Sequence, residues 1–490
     1  MLVLTIAGLL MELCLVGMAL LQDLSEHMTA FLVIFGTAGL SYVAAVFCIL
    51  KYSKDRGNSL PLIWGLAILF RVTLLLTTPP TLSSDVYRYI WDGRIMNAGV
   101  NPYAHAVDSP LLDPFDSPQR SLVNHSWMAS PYLPAAQGFF AAVYRLCPES
   151  PLAFQIAAVL LDLLTGWLVI DVLRRLGLPR TRALIYLWNP LVVVEFAHGA
   201  HVDALMICLI MAVFWSLVVR ASVVRRSWLW RLASTVSVMT LAAATLTKGL
   251  PVLLLPAVAR RLGWRQTAVT LGLVIAVCVP FGLGAGWGLV GPLNGEGLFG
   301  ALRIYTAYWR FNAGVYHWLE AALSYCWSLG AATLGMADWV PVVAARMFTL
   351  VALGWVLIAV WRLGRMTSTK GRLSDTLALL RLAIIPLAAY LLLATTVHPW
   401  YVTVLIPLFP FLQPREGEAT RTGRWLWPGL YFSVIVSLSY LTYLDPASPR
   451  ENNLVRLTEY VPLYLLLMWS ACGSFLDTQA GDGSASSTGQ

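Results

Sequence analysis

The chain has 490 residues, of which 58% are apolar and only 12% charged, with a mean hydropathy of +0.70. A soluble protein of this length needs roughly twice that charge to cover its surface, which excludes soluble enzymes, nucleic-acid binders and disordered scaffolds. The formal charge of +8 is explained by basic loops on the cytoplasmic side of a membrane and calls for no nucleic-acid partner. Seven cysteines scattered without a Cys-x-x-Cys pair argue against a disulfide framework or a zinc site.

A helix needs about 20 apolar residues to span the hydrocarbon. In chain order the candidates are Leu2–Gln22, Met28–Leu50, Leu60–Thr78, Leu152–Val172, Ala183–Ala197, Ala204–Val219 and Leu232–Leu246. They continue with Val252–Val258, Ala268–Leu283, Val342–Trp361, Leu377–Thr396, Val402–Leu412, Trp425–Tyr443 and Val461–Phe475. The first lacks a basic leader and a small-residue cleavage site and reads as a retained helix. Val252–Val258 and Val402–Leu412 are too short to cross alone and have prolines nearby. Broken helices of this kind survive only where protein or a wet cavity covers them.

Basic clusters orient the chain: Lys51 to Arg56, Arg174 to Arg182, Arg220 to Arg231, Arg260 to Arg265, Arg362 to Arg372 and Arg415 to Arg424. Placing all of them in the cytoplasm gives a consistent zigzag. It puts residues 83–133, 198–203, 286–312, the His398 turn and 445–459 on the other side. Residues 311–330 break this parity and are expected as a re-entrant or interfacial helix. The expectation is an all-α polytopic membrane protein: a single transmembrane domain over 1–476, a long extracytoplasmic loop at 79–134, and an irregular Gly/Ser-rich tail at 477–490. No internal repeat is visible. One long polar loop among short ones favours a membrane enzyme over a carrier built from repeated halves.

The segment richest in chemistry runs from Ser83 to Gly93. Ser83 or Ser84 can cap a helix on which Asp85, Arg88, Tyr89 and Asp92 share one face, with Val86, Ile90 and Met96 on another. The spacing predicts an amphipathic helix lying at the outer membrane surface, apolar side down. It reads equally as a solvated helix whose charges pair with one another.

Ser-Asp-x-Tyr-Arg-Tyr-x-Trp-Asp-Gly-Arg followed by Gly-x-Asn-Pro-Tyr resembles the first outer loop of bacterial polyprenol-phosphate-sugar-dependent mannosyltransferases, family 87 and its relatives in the GT-C superfamily. Three further stretches match in order: Trp188-Asn-Pro190 with His198-Gly-Ala-His-Val-Asp203, then Lys248-Gly-Leu-Pro251 with Pro256, then His398-Pro-Trp-Tyr401. The resemblance covers roughly residues 60 to 412. It departs at the front, where two apolar helices precede the one that feeds the aspartate loop.

The resemblance implies a GT-C bundle of about 12–14 helices that moves a hexose, mannose foremost, from a polyprenyl-phosphate donor to a lipid or glycan acceptor outside the cytoplasm. Such a transfer needs a carboxylate to take the acceptor proton and cations to hold the leaving phosphate. Asp85 maps onto the base of an inverting displacement, with Asp92 the runner-up and Arg88 and Tyr89 beside them. His398, Lys248 and Arg303 are candidates for the donor phosphate. Lys248 reads equally as a snorkelling lysine, and Arg303, among Tyr305, Tyr308 and Trp309, as part of an aromatic belt. His201, Asp203, Tyr401, Asn101 and Tyr103 are candidates for sugar or acceptor hydroxyls, with helix capping the plainer role for His201 and Asp203. His198, His201 and Asp203 form a poor metal set, and no cofactor or divalent metal is expected. The sequon Asn124-His-Ser126 is set aside as a chance match. The competing reading is a transporter or flippase with Asp162, Asp171, Glu195 and Lys248 as buried gating charges.

Overall fold

A computed structural model describes residues 1–51, 59–76, 80–291, 293–331, 339–366, 372–414, 420–444 and 450–485. It is 78% helical, and no strand occurs among the described residues, so the all-α expectation holds. The helices are α1 (Leu2–Leu21), α2 (Met28–Lys51), α3 (Leu60–Leu75), α4 (Asp85–Asn97), α5 (Pro134–Leu146) and α6 (Pro151–Arg175). After them come α7 (Leu184–Leu187), α8 (Pro190–Val193), α9 (Asp203–Ser222), α10 (Trp228–Thr247), α11 (Leu255–Leu262) and α12 (Trp264–Ala285). The rest are α13 (Gly300–Tyr308), α14 (Val315–Ala331), α15 (Val340–Met366), α16 (Arg372–Leu393), α17 (Pro399–Val402), α18 (Leu426–Ile435) and α19 (Asn453–Ala485).

Among the described residues eight helices are long and apolar enough to cross a membrane: α1, α2, α6, α9, α10, α12, α15 and α16. Several other expected spans are broken, two of them at residues that force the break. Ala183–Ala197 divides into α7, α8 and a π-turn at Val194–His198. The Asn189 side chain accepts from the Leu191 and Val192 amides and caps α8, with Pro190 at its first position. Its amide donates to Ser433 Oγ at 3.0 Å, and the Trp188 indole donates to the Ile63 carbonyl at 2.9 Å. Every residue from 181 to 200 is buried, so protein covers the interrupted backbone as the membrane requires. Pro407 and Pro410 hold Thr403–Phe411 as a 3₁₀ segment. The α14 helix, expected as interfacial, has 17 residues. The last helix, α19, continues past residue 476 into the tail expected to be irregular.

The two N-terminal helices are packed into the bundle. Leu4, Met11, Leu15 and Met18 of α1 are buried. A Cβ added to Gly8 would lie 2.9 Å from the Trp188 ring, so only glycine permits this approach.

One expectation is corrected here. The polar face of α4 is covered and not presented, because Arg88, Tyr89, Ile90, Trp91 and Asp92 are all buried. The cover is α5, not anticipated from the sequence, together with the loop around residues 101–133. Tyr89 stacks on Phe140 of α5 at 4.5 Å. Gly93 lets the two backbones touch, since a Cβ there would meet the Phe140 carbonyl group.

Candidate active site

Four chain segments end at the same place: α4 begins there with Asp85, α9 begins with Asp203, α10 ends just before Lys248, and His398 precedes α17. The site is built from these ends.

Asp85 is half-buried, and its carboxylate is held from two sides. Asn124 Nδ2 donates to one oxygen at 2.8 Å, and Tyr132 OH to the other at 3.3 Å. His201 Nδ1 lies 3.8 Å away. Burial alone pushes the Asp85 pKa up, but His201, the Asn124 amide, Lys248 and His398 outweigh it, so the carboxyl titrates below its ordinary value. It is therefore ionised at neutral pH.

Asp92 has the opposite environment. It is buried, and accepts from Ser130 Oγ at 2.5 Å and Gln137 Nε2 at 2.9 Å. Burial outweighs Arg88 and these hydrogen bonds and raises its pKa. Arg88 does not clamp the carboxylates as a side-by-side reading of the helix face suggests. Its guanidinium donates to the carbonyls of Asn124, His125 and Met128, and so fixes the loop that carries Asn124. Tyr89 packs in the core, with its hydroxyl 3.5 Å from the Val202 amide.

His201 is buried with Nε2 3.2 Å from Glu195 Oε2, and Tyr440 OH donates to the other Glu195 oxygen at 2.9 Å. His201 stacks on Trp400 at 4.1 Å, Trp400 on His398 at 4.4 Å, and His398 on Phe311 at 4.5 Å. Four rings thus form one row that ends beside Asp85. Phe311 is held in the row by a backbone bridge to Thr396, with Val397 N donating to the Phe311 carbonyl at 2.8 Å. Burial pushes the His398 imidazole down to about 3, so at neutral pH it offers a neutral ring and not a cation. Its Nδ1 has no partner among the described residues.

Lys248 Nζ lies 2.6 Å from Asp203 Oδ2 and 4.8 Å from the Tyr401 ring centre. Tyr401 and Tyr305 hydroxyls meet at 2.7 Å. Arg303, two residues before Tyr305, donates to the Gly291 carbonyl at 3.0 Å. Asn101 and Tyr103 make hydrogen bonds within the fold. Asn101 Nδ2 donates to the Phe281 carbonyl of α12, and the buried Tyr103 hydroxyl donates to the Tyr132 carbonyl. His198 accepts from the Thr81 amide at 3.1 Å. The structure thus gathers Asp85, His201, Asp203, Lys248, His398 and Tyr401, and adds Asn124, Tyr132, Glu195, Trp400 and Phe311. Asn124 belongs to the sequon set aside above, and no motif in the sequence marks Tyr132. Among the described residues no three His, Cys, Asp or Glu side chains converge as a metal-binding group.

The buried charges expected of a carrier are divided among separate partners. Asp162 pairs with Arg71 at 2.5 Å and accepts from Tyr186, while Asp171 is held by Arg174, Arg175 and Trp215.

Fold and site together define an integral-membrane protein with one polar, aromatic-lined site at one end of its bundle. The chain belongs to the family described as alpha-(1->6)-mannopyranosyltransferase, N-terminal domain, which it matches over residues 3–264, just over half its length. The match begins within α1, so the extra N-terminal pair falls inside the family's region. A curated relative, alpha-(1->6)-mannopyranosyltransferase A of Corynebacterium glutamicum, is 25% identical over 149 residues, 28% of this chain and 29% of the relative. The aligned stretch therefore spans less than a third of that relative's length. No solved structure matches.

Proposed function

We propose that this protein transfers mannose from a polyprenyl-phosphate donor to a hydroxyl of a lipid or glycan acceptor, on the extracytoplasmic face of the cell membrane. The family's description and the relative's name support mannosyl transfer. The basic loops support the sidedness. The observation that carries the chemistry is the contrast between two carboxylates on one helix: Asp85 is ionised beside the ring row, and Asp92 is buried and biased towards its neutral form.

In this reading Asp85 accepts the proton of the acceptor hydroxyl. The hydroxyl oxygen bonds to the anomeric carbon as its bond to the phosphate oxygen breaks, with inversion, and polyprenyl phosphate leaves with the electron pair. Asn124 and Tyr132 aim the carboxylate, and His201, backed by Glu195, stands beside it and favours its ionised form before the proton arrives. Lys248 keeps donors beyond its bond to Asp203, and it contacts the leaving phosphate together with the neutral His398 ring as an N–H donor. Tyr401 and Asp203 complete the rim towards the sugar. Incubation with a panel of polyprenyl-phosphate sugars tests the proposal: mannose transfer with release of polyprenyl phosphate supports it, and no release from any donor contradicts it. The anomeric configuration of the product, compared with the donor by NMR, tests inversion. A carrier would need its charges grouped along one path; here Asp162 and Asp171 are each neutralised in place.

A further inference from the structure

The far ends of α9 and α10 hold a polar feature that the proposed transfer does not use. Arg220, Arg225, Arg226, Arg260, Arg261 and Arg265 line one cavity of about 610 Å³, together with Trp230 and Trp264. Asp203 and Arg220 sit near opposite ends of α9, about 25 Å apart by helical rise. The cavity therefore lies at the membrane face opposite the candidate active site.

Its arginines converge from three stretches of chain: the end of α9 with the turn after it, the end of α11, and the start of α12. Arg226 in that turn has φ 69°, a left-handed conformation that favours glycine, yet the position carries a guanidinium. Neutralisation is sparse. Arg261 pairs with Asp375 at 2.9 Å. Arg220 is shared between the Gln266 side-chain oxygen at 2.8 Å and the Trp230 ring at 4.5 Å. Arg265 lies over Trp264 at 5.3 Å, and Arg260 reaches the Gly364 carbonyl at 3.4 Å. Among the described residues no carboxylate forms an ion pair with Arg220, Arg225, Arg226, Arg260 or Arg265.

A cytoplasmic excess of basic residues explains arginines spread over wet loops. It does not explain six of them around one concavity with a single carboxylate partner among the described residues, where a bound anion would relieve their mutual repulsion. Guanidinium groups pair with phosphate oxygens through two parallel hydrogen bonds. Tryptophans mark headgroup depth at a membrane boundary, and basic pockets between transmembrane helices take up lipid headgroups. We propose that this cavity binds the phosphate-bearing headgroup of an anionic lipid from the leaflet opposite the candidate active site.

Native mass spectrometry of the full chain in mild detergent tests this, with dioleoyl-phosphatidylglycerol or dioleoyl-phosphatidylcholine added. The wild-type protein should retain phosphatidylglycerol about tenfold more tightly than phosphatidylcholine, whose phosphate is the same but whose choline cation the arginines repel. The preference should vanish in Arg225→Gln/Arg226→Gln/Arg265→Gln, whose three side chains are exposed and whose melting temperature should stay at the wild-type value. Equal retention of both lipids by the wild type, or an undiminished preference in the triple variant, would overturn the proposal. A further arm replaces the lipid with sn-glycerol 3-phosphate or inorganic phosphate. Binding of either as tight as that of the lipid assigns the cavity to a soluble anion and overturns the lipid assignment.

Discussion

Lys248 Nζ sits 2.6 Å from Asp203 Oδ2 and so ties the end of α10 to the start of α9. Asp203 is almost wholly buried, and Lys248 is its cationic partner. Lys248→Met leaves a buried carboxylate uncompensated and should cost about 3 kcal/mol of stability. The double variant Lys248→Met/Asp203→Asn should recover most of that loss. Donor affinity should stay about ten- to a hundredfold lower in both, because the phosphate contact is gone. Thermal unfolding and donor-binding titrations on the same preparations separate the two effects.

Arg88 acts on Asp85 through the backbone of another loop. Its three carbonyl partners at Asn124, His125 and Met128 would be left without a donor in Arg88→Met. The expected cost is about 3–5 kcal/mol in stability and a fall in kcat larger than any rise in donor KM. Asn124→Ala should reproduce the kcat defect with little loss of stability, since only the hydrogen bond to Asp85 is removed.

The acid limb of the kcat/KM profile distinguishes the two carboxylates. An ordinary aspartate titrates near ~3.9. The Asp85 pKa is lowered, so a base at Asp85 stays ionised as pH falls and activity should persist until pH drops below that value. The Asp92 pKa is raised, so a base there would lose activity at a pH above it. Removing the Asn124 amide should shift the limb upward.

Sidedness is testable with single cysteines at the exposed positions Ser121 and Ser222 in a background lacking the exposed Cys147, Cys326 and Cys472. An impermeant thiol reagent added to intact cells should label the first and spare the second. Labelling of both from outside contradicts the orientation.

The sequence revealed what periodicity and composition can encode. The apolar runs marked the bundle, and the prolines at Pro407 and Pro410 marked one of its broken helices, while the break at Asn189 and Pro190 fell inside a run that reads as a span. The four ends that carry Asp85, Asp203, Lys248 and His398 were each found as motifs. What it hid was cover and convergence. Periodicity placed Asp85 and Asp92 on one face of α4 but could not show that α5 and the loop bury Asp92 and leave Asp85 beside the rings. The row Phe311–His398–Trp400–His201 joins three distant segments, and no local pattern announces it. Asn101 and Tyr103 illustrate the converse: they lie within a family motif, and their hydrogen bonds build the loop that presents Tyr132.

The most direct test of the account is transfer by Asp85→Asn, beside Asp92→Asn, with polyprenyl-phosphate mannose as donor. Asp85→Asn keeps the shape of the side chain while removing its basicity. It should lower kcat by roughly 10²–10⁴-fold and leave donor binding within about twofold, while Asp92→Asn retains most of its turnover. Near-normal turnover in Asp85→Asn alongside a dead Asp92→Asn would contradict the assignment of the base.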